Sequence, residues 1–145
     1  MSMNLFFLAY PQEQLDEMAN NPALIDEAVD AENYCFSTDV ETAWDVLRET
    51  LGGIGIEAGE FIDNTLFNGC CLISSATVKT QAEALSNWSP EKVLAGLRHI
   101  DQDTDLYRLK LFKNDEEYFL EQFEKMAAFY KEAAEKGLGA VSYAA

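Results

Sequence analysis

The sequence predicts one α+β domain spanning residues 1–145, with a short mixed sheet and helices packed on it. Short apolar segments of strand type lie near both ends of the chain and in its middle, and amphipathic helical patterns separate them. Hydrophobic residues make up 48% of the 145 residues, which is ample to fill the interior of a domain of this length. A long C-terminal helix followed by a final strand completes the expected fold.

The first elements are a strand and two short helices. Residues 4–9 are apolar and aromatic and stop at Pro11, which predicts a buried strand. Residues 12–19 have apolar positions three apart in a polar background, as a short amphipathic helix does. Asn21 as N-cap and Pro22 at the first helical position predict a second helix. Its apolar face would comprise Leu24, Ile25, Ala28 and Val29.

A third helix follows from a capping pattern. Thr38 with Glu41 three residues later forms a capping box, and the Gly52–Gly53 pair ends the helical spacing. The buried face would comprise Val40, Ala43, Trp44, Leu47 and Leu51. Residues 52–69 are glycine-rich and aperiodic, which predicts a long loop. Residues 70–73 are short and continuously apolar, which favours a central strand.

Three further helices are predicted. Ser89 as N-cap before Pro90 begins one, and residues 106–112 form a short helix after an acidic turn. Asn114 with Glu117 caps the last long helix. Its buried stripe would comprise Phe119, Phe123, Met126, Tyr130 and Ala133.

The end of the chain predicts a helix stop and a strand. Gly137 terminates the last helix. Its solvent-exposed side has two oppositely charged pairs four residues apart, Glu121–Lys125 and Glu132–Lys136. Residues 138–143 then have strand character. We expect this strand to pair with the strand at residues 4–9.

These elements together resemble the YfbM-like family of small bacterial proteins, a domain of unknown function. The likeness rests on the aromatic N-terminal strand and on the Asp-x-x-x-Ala-Trp-x-x-Leu pattern of Asp39–Leu47 closed by Gly52–Gly53. It also rests on Leu85–Val93 and on the Phe129–Ala134 helix segment that runs into Gly137–Leu138. The resemblance implies a compact α+β domain and brings no catalytic residues with it. Some small acidic domains of this general kind serve as immunity proteins against bacterial toxins, which is an association only.

The net charge of −16 excludes several classes of function. Nucleic-acid binding needs clustered Lys and Arg, which this chain lacks, and an anionic membrane surface is disfavoured for the same reason. The apolar N-terminal run has no basic segment before it, so no signal peptide is expected. Cys35, Cys70 and Cys71 are an odd number and are expected to be buried thiols in a reducing compartment. The expected location is the cytoplasm.

Few residues are suited to catalysis or metal binding. His99 is the single histidine, and its position near a helix C-terminus is explained by the helix dipole. One His and three Cys are a poor ligand set for zinc. Asp101, Asp103 and Asp105 alternate as in a calcium loop, but the later loop positions have the wrong residues. We therefore predict a protein that is not an enzyme and has no metal or cofactor.

The acidity is concentrated in the first half of the chain. Residues 1–66 contain 14 acids and a single base, Arg48, whereas residues 67–145 contain 12 acids and nine bases. A concentrated negative electrostatic field speeds the encounter with a basic partner. The other explanation is that the acids only keep the domain soluble. As a partner surface for a basic, toxin-like protein we predict Asp16, Glu17, Asp26, Glu27, Asp30, Glu32, Asp39, Glu41 and Asp45. The alternative is a small hydrolase or ligand-binding protein that uses carboxylates near the Gly52–Gly69 loop.

Overall fold

A single five-stranded sheet organises the molecule, for which a computed structural model describes residues 2–145. The strands are β1 (Leu5–Tyr10), β2 (Ser37–Asp39), β3 (Glu60–Ile62), β4 (Cys70–Ile73) and β5 (Gly139–Ala144). Their order across the sheet is β2-β1-β5-β4-β3. The predicted pairing of the two terminal strands is confirmed, with Leu5 opposite Ala144 and Tyr10 opposite Gly139.

All four strand pairings are antiparallel, which corrects the expected mixed sheet. An antiparallel neighbour begins at the end of the sheet where the previous strand stopped. The connections β1 to β2, β3 to β4 and β4 to β5 each return the chain to the end that it left, so no parallel pair forms. The α+β class and the final helix followed by a strand are as predicted.

Seven α-helices surround the sheet. They are α1 (Gln12–Asn20), α2 (Ala23–Asp30), α3 (Trp44–Leu51), α4 (Ser75–Ser86), α5 (Pro90–His99), α6 (Leu109–Asn114) and α7 (Glu116–Glu135). A short 3-10 turn, Glu41–Ala43, precedes α3. The helix α4 was missed in the sequence because its Ser, Thr and Ala residues leave only Val78 and Leu85 buried, which gives a weak stripe.

Helices cover both faces of the sheet because side chains of successive strand residues point to opposite sides. Phe7 and Ala9 of β1 face a large core built by α3 to α7, which we call the thick layer. Leu8 and Tyr10 face a smaller core built by α1 and α2, which we call the thin layer. Leu66, from the connection between β3 and β4, also packs in the smaller core.

The predicted capping box at Thr38 is wrong. Thr38 pairs with Phe7 in β2, and the N–H of Glu41 instead donates to Asp39 Oδ1 at 2.9 Å. The α-helix therefore begins only at Trp44. Backbone pairing with β1 satisfies the polar groups of residues 37–39 better than a local cap, and the sequence pattern does not register that distant partner.

Other corrections are local. The predicted loop at residues 52–69 contains the edge strand β3, and the predicted helix at 106–112 begins only at Leu109. The cap of α7 is Asp115, which accepts from the N–H of Tyr118, and not Asn114. Cys35 is exposed rather than buried, whereas Cys70 is buried and Cys71 half-buried.

Three helices end in the same hydrogen-bonded pattern. Gly52 after α3 and Gly137 after α7 have φ of 63° and 68°, and the N–H of the residue after each donates to the carbonyl five residues earlier. The end of α2 has this geometry with Glu32 at φ 53° in the glycine position. Asn33 N–H there donates to the Ala28 carbonyl at 3.4 Å. A left-handed backbone at a glutamate is uncommon.

Candidate partner-binding surface

The exposed side of the thin layer is acidic because its two helices are amphipathic. Leu15 and Met18 of α1, with Ile25 and Ala28 of α2, are buried against the sheet. Residues 11–33 contain seven acids and no base, and six of the seven acids are exposed. The exposed acids of this segment are Glu13, Asp16, Glu17, Glu27, Asp30 and Glu32.

None of these thin-layer carboxylates is neutralised by a cation. The six ion pairs found among residues 2–145 all involve acids of later segments, such as Glu116 with Arg98 at 2.7 Å. All ten Lys and Arg residues follow residue 47 and lie in or between elements of the thick layer. Positive charge is therefore confined to the thick layer, whereas acids occur on both sides of the sheet.

Asp45 differs from the thin-layer acids because it is used inside the protein. Its Oδ1 accepts from Arg48 at 2.6 Å, and its Oδ2 accepts from the backbone N–H of Tyr107 at 2.9 Å. Its side chain is only 16% exposed. The hydrogen bond from Arg48 to Asp45 raises the pKa of the guanidinium. Asp45 thus ties α3 to the segment before α6.

Three other predicted acids also have contacts within the chain. Asp26 Oδ1 accepts from the N–H of Leu66 at 2.9 Å and so fixes the connection before β4. Asp39 and Glu41 lie 3.6 and 3.7 Å from the ammonium of Lys125. Lys125 was expected to pair with Glu121, and its neighbours are instead these two acids. Five of the nine predicted residues remain free of backbone and cation partners: Asp16, Glu17, Glu27, Asp30 and Glu32.

A cavity of about 420 Å³ opens on the thin-layer face of the sheet beside the edge strand β2. Phe6 and Tyr143 line it with their rings stacked at 5.3 Å, and Tyr34 contributes a third ring. Glu32 and Asp39 are its two carboxylates, and no Lys or Arg lines it. Burial, together with the neighbouring Tyr34 and Asp30, raises the pKa of the Tyr143 phenol.

Tyr10 lies behind Tyr34 in the smaller core. The two rings meet edge to face, with centroids 6.3 Å apart. Tyr10 is fully buried, its hydroxyl has no hydrogen-bond partner, and burial raises its pKa to about 12. No sequence pattern predicts this aromatic group, because its members are distant in the chain and meet only in the fold.

A second cavity, of about 630 Å³, lies between α3 and α5 in the thick layer. His99, the last residue of α5, lines it as an exposed side chain together with Trp88 and Lys92. The ammonium of Lys92 lies 4.4 Å from the centre of the Trp88 ring. Glu49 and Asp101 line the same cavity.

The glycine-rich segment at residues 52–69 is held by packing. Gly55 has φ 81°, its N–H donates to Gln81, and its carbonyl accepts from the buried Tyr130 hydroxyl at 2.7 Å. A side chain at Gly55 would meet Met126 at 2.8 Å. The three glycines nearest α3 therefore serve the helix end and the core. The alternative of carboxylate chemistry at this loop stays a prediction.

No metal site is formed by residues 2–145, because no three His, Cys, Asp or Glu side chains are grouped to share an ion. Asp101 Oδ1 accepts from the N–H of Asp103 in an ordinary turn. The same described residues contain no helix with the length and apolar character needed to cross a bilayer.

Comparison with protein-family models matches residues 1–143 to a domain of unknown function, DUF1877. The chain belongs to the DUF1877 family. A search of curated proteins found no match.

A similar fold is found among solved structures. The chain is similar to the crystal structure of YfbM from Escherichia coli, a protein of unknown function, with a TM-score of 0.65. The two share 13% identity, and the match covers 98% of each chain. This likeness confirms the predicted YfbM-like resemblance at the level of the fold.

Proposed function

We propose that this DUF1877 chain is a non-enzymatic protein-binding domain whose thin layer binds a basic protein, as an immunity protein binds a basic toxin. The observation that carries the proposal is that seven acids of residues 11–33 have no cation partner among the described residues. Unpaired charge of one sign on one face is typical of surfaces that steer a partner of opposite sign.

The surroundings of the acids support a docking surface. A cleft of about 240 Å³ between α1 and α2 is lined by Glu17 and Glu27 together with the apolar Met18 and Ala28. Phe67 is fully exposed, and it adjoins the thin layer because its neighbour Leu66 is bound to Asp26. Aromatic side chains at the margin of a charged surface supply the apolar contact that interfaces need.

The free thiols fit a cytoplasmic setting for this role. Cys35, Cys70 and Cys71 form no disulfide, and Cys35 is exposed, where an oxidising compartment would modify it. We therefore place the proposed complex in the cytoplasm.

The test is binding to basic proteins encoded by neighbouring genes, with variants of reversed charge. Glu27→Lys with Asp30→Lys alters the thin layer, and Glu83→Lys with Glu124→Lys gives the same change of net charge in the thick layer. We expect only the first pair to weaken binding, on the order of tenfold or more, and high salt to weaken the wild-type complex. Equal losses for both pairs, or affinity that does not depend on salt, would contradict the proposal.

A further inference from the structure

The cavity beside β2 combines rings and carboxylates in a way that suits one chemical class of ligand. Phe6, Tyr34 and Tyr143 present three aromatic rings, and Glu32 and Asp39 present two carboxylates. Ring faces and carboxylates both attract organic cations. Because no Lys or Arg lines the cavity, no cation among its lining residues competes for that position.

Glu32 reaches the cavity from the end of α2, where its backbone is left-handed. The ends of α3 and α7 use glycine at the left-handed position, whereas the end of α2 uses Glu32 at φ 53°. Glycine adopts this conformation without steric cost, so a glutamate there is the less stable choice. The side chain that results is an exposed carboxylate at the cavity, and it forms no ion pair.

The two carboxylates are not equivalent. Asp39 already lies 3.6 Å from the ammonium of Lys125, and its Oδ1 accepts from the N–H of Glu41. Glu32 has neither contact. Glu32 is therefore the carboxylate available to an incoming cation, while Tyr34, held edge to face by the buried Tyr10, offers a fixed ring.

We infer that this cavity receives an arginine side chain of the basic partner, with its guanidinium against the aromatic rings and paired with Glu32. The inference rests on the proposed function, since the arginine belongs to the protein that the thin layer binds. Arginine is favoured over lysine because a guanidinium is flat and weakly hydrated, stacks on rings, and donates two parallel hydrogen bonds to one carboxylate.

The experiment is calorimetric titration of the whole chain with a hexa-arginine peptide and, separately, a hexa-lysine peptide. Tyr34→Leu and Glu32→Gln change the cavity, and Asp16→Asn removes one charge from the same face outside it. We expect each cavity variant to weaken arginine-peptide binding about tenfold, Asp16→Asn to weaken it about twofold or less, and the arginine peptide to bind more tightly than the lysine peptide.

A second variant separates binding from folding. We expect Glu32→Gly to lose the same affinity as Glu32→Gln while its melting temperature is unchanged or higher, because glycine fits the left-handed position. Equal effects of Glu32→Gln and Asp16→Asn, no effect of Tyr34→Leu, or equal binding of the two peptides would overturn the arginine site and leave the acidic surface intact. Absence of binding to both peptides would likewise overturn the arginine site, whereas the proposed function fails only if the charge-reversed pairs lose equal affinity for the basic partner or if that affinity does not depend on salt.

Discussion

The two faces of the sheet differ in the size of the core that covers them and in the charge of their exposed side chains. The thick layer buries most of the large side chains, including Phe112, Phe119 and Met126, and contains every lysine and arginine. The thin layer has two short helices over a core of ten buried residues and leaves its acids without cations. We therefore expect the thick layer to supply most of the stability, and repulsion between its acids to lower that of the thin layer.

The largest expected effect compares truncations in the two cores. Phe119→Ala removes a fully buried ring from α7 and should lower the free energy of unfolding by about 3–5 kcal/mol. Leu15→Ala in α1 should cost about 2–3 kcal/mol, since it removes fewer atoms from a smaller core. Urea unfolding measures both. A larger loss for Leu15→Ala would show that the thin layer contributes more to stability than we infer.

Alkaline pH should lower stability through one tyrosine in each core. Burial raises the pKa of Tyr10 to about 12, and it also raises the pKa of Tyr130. Above pH 10 a tyrosine in the unfolded chain ionises, whereas these two stay protonated in the folded protein. The unfolded state then binds fewer protons, and the free energy of unfolding falls by about 1.4 kcal/mol per pH unit for each phenol. Below pH 9 neither phenol contributes to the pH dependence of stability. Tyr10→Phe should make the fall between pH 10 and 12 shallower, and an unchanged slope would contradict the assignment.

At neutral pH the same two tyrosines should respond oppositely to loss of the hydroxyl. Tyr130→Phe leaves the Gly55 carbonyl without its 2.7 Å donor and should cost about 1–2 kcal/mol. Tyr10→Phe removes a buried hydroxyl that has no partner and should leave stability unchanged or slightly higher. The measurement is urea unfolding at pH 7, and a similar loss for both variants would refute the contrast.

The smallest effect concerns charge on the two layers. Glu13 and Glu17 lie four apart on α1, so Glu17→Lys replaces a repulsion by an attraction and should stabilise the fold by about 0.5–1 kcal/mol. Lys136→Glu breaks the 2.8 Å pair between Lys136 and Glu132 in the thick layer and should destabilise the fold slightly. Both shifts should shrink in high salt. A loss of stability in Glu17→Lys would show that repulsion between its acids does not destabilise the thin layer.

Local signals predicted much of the fold because they act over a few residues. The strands at both ends, the strand at residues 70–73, the Ser89–Pro90 helix start and the glycine helix ends at Gly52 and Gly137 all follow from short patterns. The buried stripe of α7 is also as predicted, since Phe119, Phe123, Met126, Tyr130 and Ala133 are all buried. Each of these depends on spacing or on one backbone conformation.

Features made by distant partners were not predictable in this way. Thr38 lies in β2 because it pairs with Phe7 of β1, and Asp45 accepts a hydrogen bond from the N–H of Tyr107, 62 residues away. The cavity beside β2 likewise joins Phe6, Tyr34 and Tyr143, which no spacing rule brings together. The uneven distribution of acids along the chain predicts an acidic surface, but only the fold shows which of its carboxylates remain unpaired.

The position of β5 between β1 and β4 has a consequence for synthesis of the chain. Without β5 the sheet separates into the pairs β2-β1 and β4-β3, which have no contact through strand pairing. Residues 139–144 leave the ribosome after every other element described, so the first strand made must wait for them before the sheet can close. Until then Phe7 and Leu8 lack their neighbours in β5. In a nascent chain the side of β1 that β5 later covers therefore stays unpaired until residues 139–144 have been made.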